Sequence, residues 1–123
     1  MGMVLYTMSY RVKRTKSVFY ISFPDISEKA FLRYRIQGDR MYLDATYTPP
    51  QYRGKGIGRT LVEAAIRYAE ENGLKIVPKC SYAIYYFVKH PEKRKLLAPE
   101  YQNTNLEELF RRALEEEKKR EHS

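Results

Sequence analysis

The chain has 123 residues, of which 43% are hydrophobic and 31% charged, with six glycines and six prolines. This length fits a single globular domain, which we place over residues 1–123, and the composition excludes a disordered or collagen-like chain. No apolar run approaches the roughly 20 residues that a membrane-spanning helix needs, so no membrane partner is expected. A single cysteine cannot form an intramolecular disulfide and suits a reducing, cytoplasmic location.

The formal net charge is +8, and it is distributed unevenly. Residues 1–100 hold 18 basic and nine acidic residues, a net charge of +9, whereas residues 101–123 have a net charge of −1. A basic body of this kind favours a polyanionic partner. That partner is either nucleic acid or a nucleotide cofactor with several phosphates, and charge alone does not distinguish them.

The first half of the chain is predicted to form an antiparallel meander of four strands. Apolar residues alternate with polar ones, the period of a half-buried strand, over residues 4–12, 19–23, 30–36 and 41–47. A basic break at residues 13–16 separates the first two runs. Gly38-Asp39, which is typical of a hairpin turn, separates the last two.

The second half is predicted to contain three helices and one short strand. Helical spacing of apolar residues indicates helices over 61–69 and 81–89, on either side of a strand at 74–77. Thr104 begins a capping-box pattern that opens a C-terminal helix over 104–120, with the polar end after residue 114 expected to fray. The predicted fold is mixed α/β (α+β), with a mostly antiparallel sheet that gains one parallel strand pair, flanked by helices.

A glycine-rich basic loop joins the meander to the first of these helices. Gly54, Gly56 and Gly58 stand at every second position, and glycine allows a backbone to approach a ligand closely. The helix that follows starts with unpaired N–H groups, which favour an anion. The cations beside it are Arg53, Lys55 and Arg59. The spacing fits neither the Rossmann fingerprint nor a Walker A loop, yet it predicts a pyrophosphate cradle; the alternative is a tight turn into a helix.

Two motifs in this order resemble those of the GNAT superfamily of acetyltransferases. Residues 51–56, Gln-Tyr-Arg-Gly-Lys-Gly, match its Gln/Arg-x-x-Gly-x-Gly/Ala motif. Residues 78–82, Pro-Lys-Cys-Ser-Tyr, followed by Tyr86 and by Lys-His-Pro-Glu at 89–92, are similar to a small stand-alone branch with one cysteine after the fifth strand. The resemblance covers a core of about residues 18–92. It implies a GNAT-like fold and N-acetyltransferase activity with acetyl-CoA as cosubstrate, on an amine acceptor that the sequence does not identify.

The resemblance also implies which residues bind coenzyme A. The backbone of the loop would bind the pyrophosphate, and the main chain of residues 46–48 would bind the pantetheine arm where the fourth strand splays from the fifth. One of these N–H groups would polarise the thioester carbonyl. The candidate ligands are Thr46, Tyr47, Thr48, Arg53, Gly54, Lys55, Gly56, Ile57, Gly58, Arg59, Thr60 and Lys89.

Cys80 and Tyr86 are the candidate catalytic residues. Cys80 directly precedes a predicted helix, whose dipole would favour the thiolate together with Lys79, and a thiolate can carry an acetyl group in a ping-pong route. Many members of the superfamily have a tyrosine acid seven residues after this position, where this chain has Phe87 with Tyr86 beside it. Many also have a glutamate base on the fourth strand, where this chain has only Asp44. The alternative to a catalytic role is that Cys80 is a small buried residue and that Tyr86 is an aromatic residue of the core.

Three functions remain open at this point. The first is an N-acetyltransferase that acts directly or through Cys80. The second is a coenzyme A-binding module with little or no turnover, which the missing acid and base favour. The third, less favoured, is a basic nucleic-acid-binding protein in which tyrosines stack on bases. With two histidines and one cysteine, no metal cluster is expected, and the oligomeric state leaves no trace in the sequence.

Overall fold

A computed structural model describes residues 10–121, which form one five-stranded sheet and three α-helices. The strands are β1 (Lys13–Arg14), β2 (Val18–Ile21), β3 (Ala30–Gln37), β4 (Arg40–Tyr47) and β5 (Lys75–Pro78). The helices are α1 (Ile57–Glu71), α2 (Ser81–Lys89) and α3 (Leu106–Glu121). Within this part of the chain, no helix has both the length and the apolar character needed to cross a membrane.

The sheet has the strand order β1-β2-β3-β4-β5. All neighbouring strands are antiparallel except β4 and β5, which are parallel. This confirms the predicted fold class. The parallel pairing ends at Leu43↔Pro78, although β4 continues for four more residues. Because the N–H groups of Lys79 and Cys80 both turn back to the Leu43 carbonyl, at 2.9 and 3.2 Å, the chain leaves the sheet at this point and enters α2.

The core lies between the sheet and α1. Apolar residues recur along α1 with the helical period, which places them on one face. That face buries Ile57, Leu61, Val62, Ala65, Ile66 and Ala69. It packs on alternate residues of the central strands, among them the fully buried Leu32, Tyr34, Met41 and Leu43. The apolar residues whose alternation predicts β3 and β4 are therefore those on the face of the sheet that α1 covers.

The N-terminal edge of the sheet differs from the prediction. Residues 4–9 of the strand predicted over 4–12 lie outside the described residues, and residues 10–12 are not in a strand. The first described strand is β1, which falls in the segment predicted to be a basic break, so that prediction was wrong. Lys13 pairs with Tyr20 through the backbone, and both residues of β1 are exposed. A short edge strand of this kind needs no apolar alternation, because it buries no face.

The C-terminal helix also differs from the prediction. The Asn105 Oδ1 atom accepts the Glu108 N–H at 3.1 Å, whereas the Thr104 hydroxyl donates to the Glu100 carbonyl at 2.7 Å. Asn105 is thus the capping residue, and the prediction of Thr104 was wrong. The expected fraying after residue 114 was also wrong, since α3 extends to Glu121 and packs along α2. The Tyr85 and Phe110 rings, with centroids 5.3 Å apart, lie in that contact.

Candidate functional site

A cavity of about 470 Å³ lies between the glycine-rich loop, the far end of β4 and the start of α2. This volume is in the range of small-molecule sites in proteins. The residues that line it are Thr46, Tyr47, Thr48, Tyr52, Arg53, Gly54, Gly56, Ile57, Gly58 and Tyr82. The structure thus brings most of the predicted coenzyme A ligands together around one cavity. It adds two residues, Tyr52 and Tyr82, that were not predicted as ligands.

Two glycines give the loop its shape. Gly54 and Gly56 have φ angles of 79° and 77°, in the left-handed region that side chains with a Cβ rarely adopt. Gly56 is the N-cap of α1 and provides no side-chain cap. The helical bonding begins only with the Thr60 N–H, which donates to the Gly56 carbonyl at 3.0 Å. The preceding N–H groups of the first turn therefore have no partner within the helix, and this end of the helix attracts an anion.

Position 58 requires a glycine for a different reason, which is close packing rather than a left-handed φ angle. It lies inside α1 with an ordinary helical φ, and a Cβ at this position would come within 2.7 Å of the Tyr82 Cζ atom. The Tyr82 ring, which is partly buried, therefore packs directly against the backbone of the first turn. Burial raises the pKa of Tyr82. The sequence gives no signal that selects Tyr82, because α2 also carries Tyr85 and Tyr86.

The predicted cations are distributed around the loop rather than gathered in the cavity. Arg53 lines the cavity, and its Nε donates to the Thr48 carbonyl at 3.0 Å, which ties the loop to the end of β4. Lys55 lies 5.9 Å from the centroid of the Tyr52 ring, and Arg59 pairs with Glu63 at 3.2 Å. Neither of these two side chains lines the cavity.

Two further predicted ligands also lie away from the cavity. The Thr60 hydroxyl donates back to the Gly56 carbonyl at 2.8 Å, so it stabilises the turn rather than facing a ligand. Lys89 is in the last turn of α2, with Nζ 5.5 Å from the Tyr85 ring centroid. For these residues the predicted contacts with coenzyme A remain predictions.

Tyr52 supports the loop from the opposite wall. Its ring stacks on Phe23 with centroids 3.8 Å apart, and its hydroxyl donates to Asp25. This bond raises the pKa of Tyr52 to about 12, so the phenol stays protonated over the physiological range. On β4, the Tyr47 hydroxyl donates to Glu28 at 2.8 Å. Both tyrosines therefore have fixed hydroxyl groups and act as rigid walls.

Cys80 immediately precedes α2 and is only 6% exposed. Its sulfur lies 4.0 Å from the Thr46 hydroxyl oxygen, so the thiol is next to a residue that lines the cavity. Burial raises the pKa of the Cys80 thiol, and the nearby Glu117 carboxylate acts in the same direction. This direction is opposite to the one that the sequence predicts from the dipole of α2, because burial removes the thiol from water.

The N-terminus of α2 is occupied by a carboxylate from α3. Glu117 accepts the Ser81 N–H at 2.9 Å and the Ser81 hydroxyl at 2.7 Å. This carboxylate supplies the cap that Cys80 does not provide. Because Ser81 and Glu117 are 36 residues apart, only the tertiary structure reveals the contact.

Tyr86, the second catalytic candidate, is buried and does not line the cavity. Its hydroxyl donates to Glu63 at 3.1 Å, and its ring stacks on His90 with centroids 4.1 Å apart. Burial and the Glu63 carboxylate raise the pKa of Tyr86 to about 12. Asp44, on β4, is held by the Arg35 guanidinium through bonds of 2.6 and 3.0 Å. Within residues 10–121, no group of three or more His, Cys, Asp or Glu side chains could hold a metal ion.

Residues 18–96, which contain the loop, the cavity and Cys80, match the family model described as GCN5-related N-acetyl-transferase. The chain belongs to this family. The resemblance inferred from the two sequence motifs is thereby confirmed. The matched residues include every residue that lines the cavity, whereas α3 lies beyond them.

Relatives of this GCN5-related protein occur in vertebrates. The chain is 32% identical over 79 residues to Protein NATD1 of Gallus gallus and of Mus musculus, covering 63% of this chain and 72% of each relative. Protein NATD1 of Homo sapiens has the same identity over the same length, with 70% of that protein covered. A solution NMR structure of a GCN5-like putative N-acetyltransferase from Staphylococcus aureus has a TM-score of 0.57 and 25% identity. The structural match covers 72% of this chain and 88% of the Staphylococcus aureus chain.

GCN5-related folds typically bind acetyl-CoA, which carries a pyrophosphate and an extended, amide-containing arm, and the site has one feature suited to each of these two groups. The uncapped first turn of α1 and Arg53 offer donors and positive charge for a pyrophosphate. Residues 44–47 of β4 continue past the last residue that pairs with β5, which leaves that edge of the strand available to an extended arm.

Proposed function

We propose that this protein is an acetyl-CoA-dependent N-acetyltransferase that binds its cosubstrate in the cavity at the start of α1. The observation that carries the proposal is the meeting of two binding features at one cavity. One is the uncapped turn after the left-handed Gly56, and the other is the unpaired end of β4. A pyrophosphate suits the first, and an amide-containing arm suits the second.

Each part of the site has a role in this proposal. The N–H groups of the first turn of α1 bind the pyrophosphate, with Arg53 adding charge from the wall of the cavity. The main chain of Thr46 and Tyr47 binds the pantetheine arm as an additional strand would. The thioester then lies near Thr46, where Cys80 approaches to 4.0 Å.

Acetyl-CoA supplies an acetyl group that is activated as a thioester. In the proposed transfer, the neutral amine forms a C–N bond with the acetyl carbon, and the C–S bond breaks. The sulfur leaves with the electron pair and becomes the thiol of coenzyme A by taking up a proton, while the nitrogen releases one to solvent. A backbone N–H at the end of β4 stabilises the charge on the carbonyl oxygen. We favour direct transfer, because burial raises the pKa of Cys80 and so disfavours the thiolate that a ping-pong route needs.

Binding of coenzyme A tests the first half of the proposal. Coenzyme A and acetyl-CoA should both raise the unfolding temperature, since a ligand that binds the native state stabilises it. In Gly56→Glu the carboxylate enters the cavity, and the dissociation constant of coenzyme A should rise more than about tenfold. Gly73→Glu is the matched control: Gly73 follows α1 at its other end with a φ of +64° and open space around it. It should bind coenzyme A as the unchanged protein does.

The same pair of variants gives the outcome that would contradict the proposal. Both substitutions place a side chain at a positive φ and add one negative charge, so both should lose similar stability, about 1 to 2 kcal/mol. Equal weakening of coenzyme A binding in the two variants would mean that the loop is not the binding site. An isotope-labelled acetyl-CoA assay with Cys80→Ala and Tyr86→Phe then tests the two catalytic candidates, and activity retained in Cys80→Ala supports direct transfer.

A second candidate function is a coenzyme A-binding module with little turnover. It is favoured by the surroundings of the proton-transferring groups: burial raises the pKa of the Cys80 thiol, the Tyr86 hydroxyl donates to Glu63, and Arg35 holds Asp44. Coenzyme A binding without acetylation of any amine class tested would support it. The basic body keeps nucleic acid as a third possibility, which predicts binding that falls steeply with salt and survives Gly56→Glu. A cytoplasmic location is part of the proposal, because one cysteine suits a reducing compartment.

A further inference from the structure

A second cavity, of about 460 Å³, meets the first at Thr46, which lines both. Six charged residues line it: Arg33, Arg35, Asp44, Lys79, Glu117 and Arg120. Because Thr46 is also the cavity residue that contacts Cys80, the second cavity opens beside the position proposed for the thioester. A molecule held there would lie next to the acetyl group.

The charges of the second cavity do not cancel one another. The Asp44 carboxylate is occupied by Arg35, with bonds of 2.6 and 3.0 Å. The Glu117 carboxylate is occupied by the Ser81 N–H and hydroxyl. Among the side chains described within residues 10–120, no carboxylate lies within ion-pair distance of Arg33 or Lys79, both of which are exposed. The charge available to a ligand is therefore positive.

These two cations lie on, or directly after, the strands on either side of β4, the strand that carries Thr46. Arg33 is on β3 opposite Ala45 of β4, one residue before Thr46, and the small Ala45 side chain also lines the cavity. Lys79 follows β5 and directly precedes Cys80. An anionic group between Arg33 and Lys79 would hold the rest of a small molecule close to Thr46 and the acetyl group.

From this arrangement we propose that the acceptor is a small amine that also carries an anionic group, either a carboxylate or a phosphate, which Arg33 and Lys79 bind. The inference rests on the proposed acetyltransferase function and adds the chemical class of its acceptor. Glu117, whose carboxylate caps α2, and Arg120 place α3 along one wall of this cavity. Because α3 lies outside the residues that match the family model, this wall is a feature of this chain beyond the family core.

Pairs of amines that differ only in the anionic group test the proposal. Ethanolamine phosphate is compared with ethanolamine, and β-alanine with β-alaninamide, in initial-rate assays with acetyl-CoA. We expect kcat/KM to be about tenfold higher for the anionic member of at least one pair, as for charge-assisted hydrogen bonds. The pair that shows the preference distinguishes a phosphate from a carboxylate. The preference should decrease as salt is added, because both cations are exposed.

The double variant Arg33→Gln/Lys79→Gln should reduce the preference to within about twofold, since no charge-assisted bond remains. Its matched control is Arg11→Gln/Lys16→Gln, which removes two exposed cations from the same basic body but leaves the second cavity intact. The control should keep the preference. Both double variants should bind coenzyme A as the unchanged protein does, because the substituted residues lie outside the first cavity.

Three results would overturn the inference alone: equal rates within both pairs, a preference that survives in Arg33→Gln/Lys79→Gln, or one that is lost equally in the control. If no amine is acetylated, the same four compounds are titrated into the coenzyme A-bound protein, with the Thr46 and Lys79 amide resonances as the readout. Shifts produced by the anionic members alone would support the inference, and their absence would overturn it. Failure of coenzyme A to bind would overturn the proposed function as well, so the two failures are distinguishable.

Discussion

The two helices that border the cavity begin in opposite ways. At the start of α1, Gly56 provides no side-chain cap and the first turn opens on the cavity. At the start of α2, Cys80 also provides no cap, but Glu117 of α3 accepts the Ser81 N–H. Both helix ends attract negative charge. The protein supplies its own carboxylate at one end, and at the other it leaves the position open to a ligand.

This difference explains why the same physical feature has different chemical consequences. A helix N-terminus lowers the pKa of a cysteine only where its field reaches a thiol that is not strongly desolvated. Cys80 is buried, and the N-terminus beside it is already paired with a carboxylate, so its pKa is raised instead. The open end at Gly56 is the one that is suited to an anionic ligand.

The largest expected effect on stability comes from removing the carboxylate that caps α2. Glu117→Ala should lower the free energy of unfolding by about 1 to 2 kcal/mol, because the Ser81 N–H and hydroxyl lose their acceptor. Unfolding in urea measures the change. The control is Glu116→Ala, an exposed neighbour on the same helix that pairs with Lys119 at 4.0 Å; this substitution should cost less than about 0.5 kcal/mol. Equal losses would mean that α3 does not cap α2.

A smaller effect is expected where α2 packs on the first turn of α1. Gly58→Ala places a Cβ within 2.7 Å of the Tyr82 ring, which must move, so we expect a loss of about 1 kcal/mol. In a Tyr82→Ala background the clash is absent, and the same substitution should stabilise the protein by about 0.5 kcal/mol, because alanine favours a helix. A double-mutant cycle in urea measures this change of sign. The same sign in both backgrounds would contradict the packing described above.

The smallest effect concerns the pH dependence of stability near Cys80. The thiol has an ordinary pKa of 9.0, and burial raises it in the folded protein. The folded state therefore holds its proton more tightly than the unfolded state does. The resulting stabilisation is complete below the ordinary pKa and is lost as the pH rises through the raised one.

Measurements of the unfolding free energy between about pH 8 and pH 10 test this dependence. The decrease over that range should be smaller in Cys80→Ala than in the unchanged protein. Lys79→Gln serves as the control, since it alters the adjacent residue but leaves the thiol in place. If the slope in Cys80→Ala equals that of the unchanged protein, the thiol does not have a raised pKa.

The parts of the site that the sequence predicted are those that depend on local backbone geometry. Gly54 and Gly56 have the left-handed φ angles that their pattern indicates, and the helix begins directly after them. Arg53 lines the same cavity because it is part of the same loop. Arg59 was also predicted to bind the ligand, but it does not line the cavity. Its long, exposed side chain instead pairs with the nearby carboxylate of Glu63, one turn further along α1.

The sequence by itself determined the strand alternation, the helical faces and the glycine turn, because each depends on residues close to one another in the chain. Only the tertiary structure decided that Tyr82 reaches Gly58, that Glu117 reaches Ser81 and that the Cys80 thiol is buried. These outcomes depend on how α2 and α3 pack, and contacts between distant parts of a chain leave no periodic pattern in it. The pKa of Cys80 follows from that packing, since it reflects desolvation more than the neighbouring sequence.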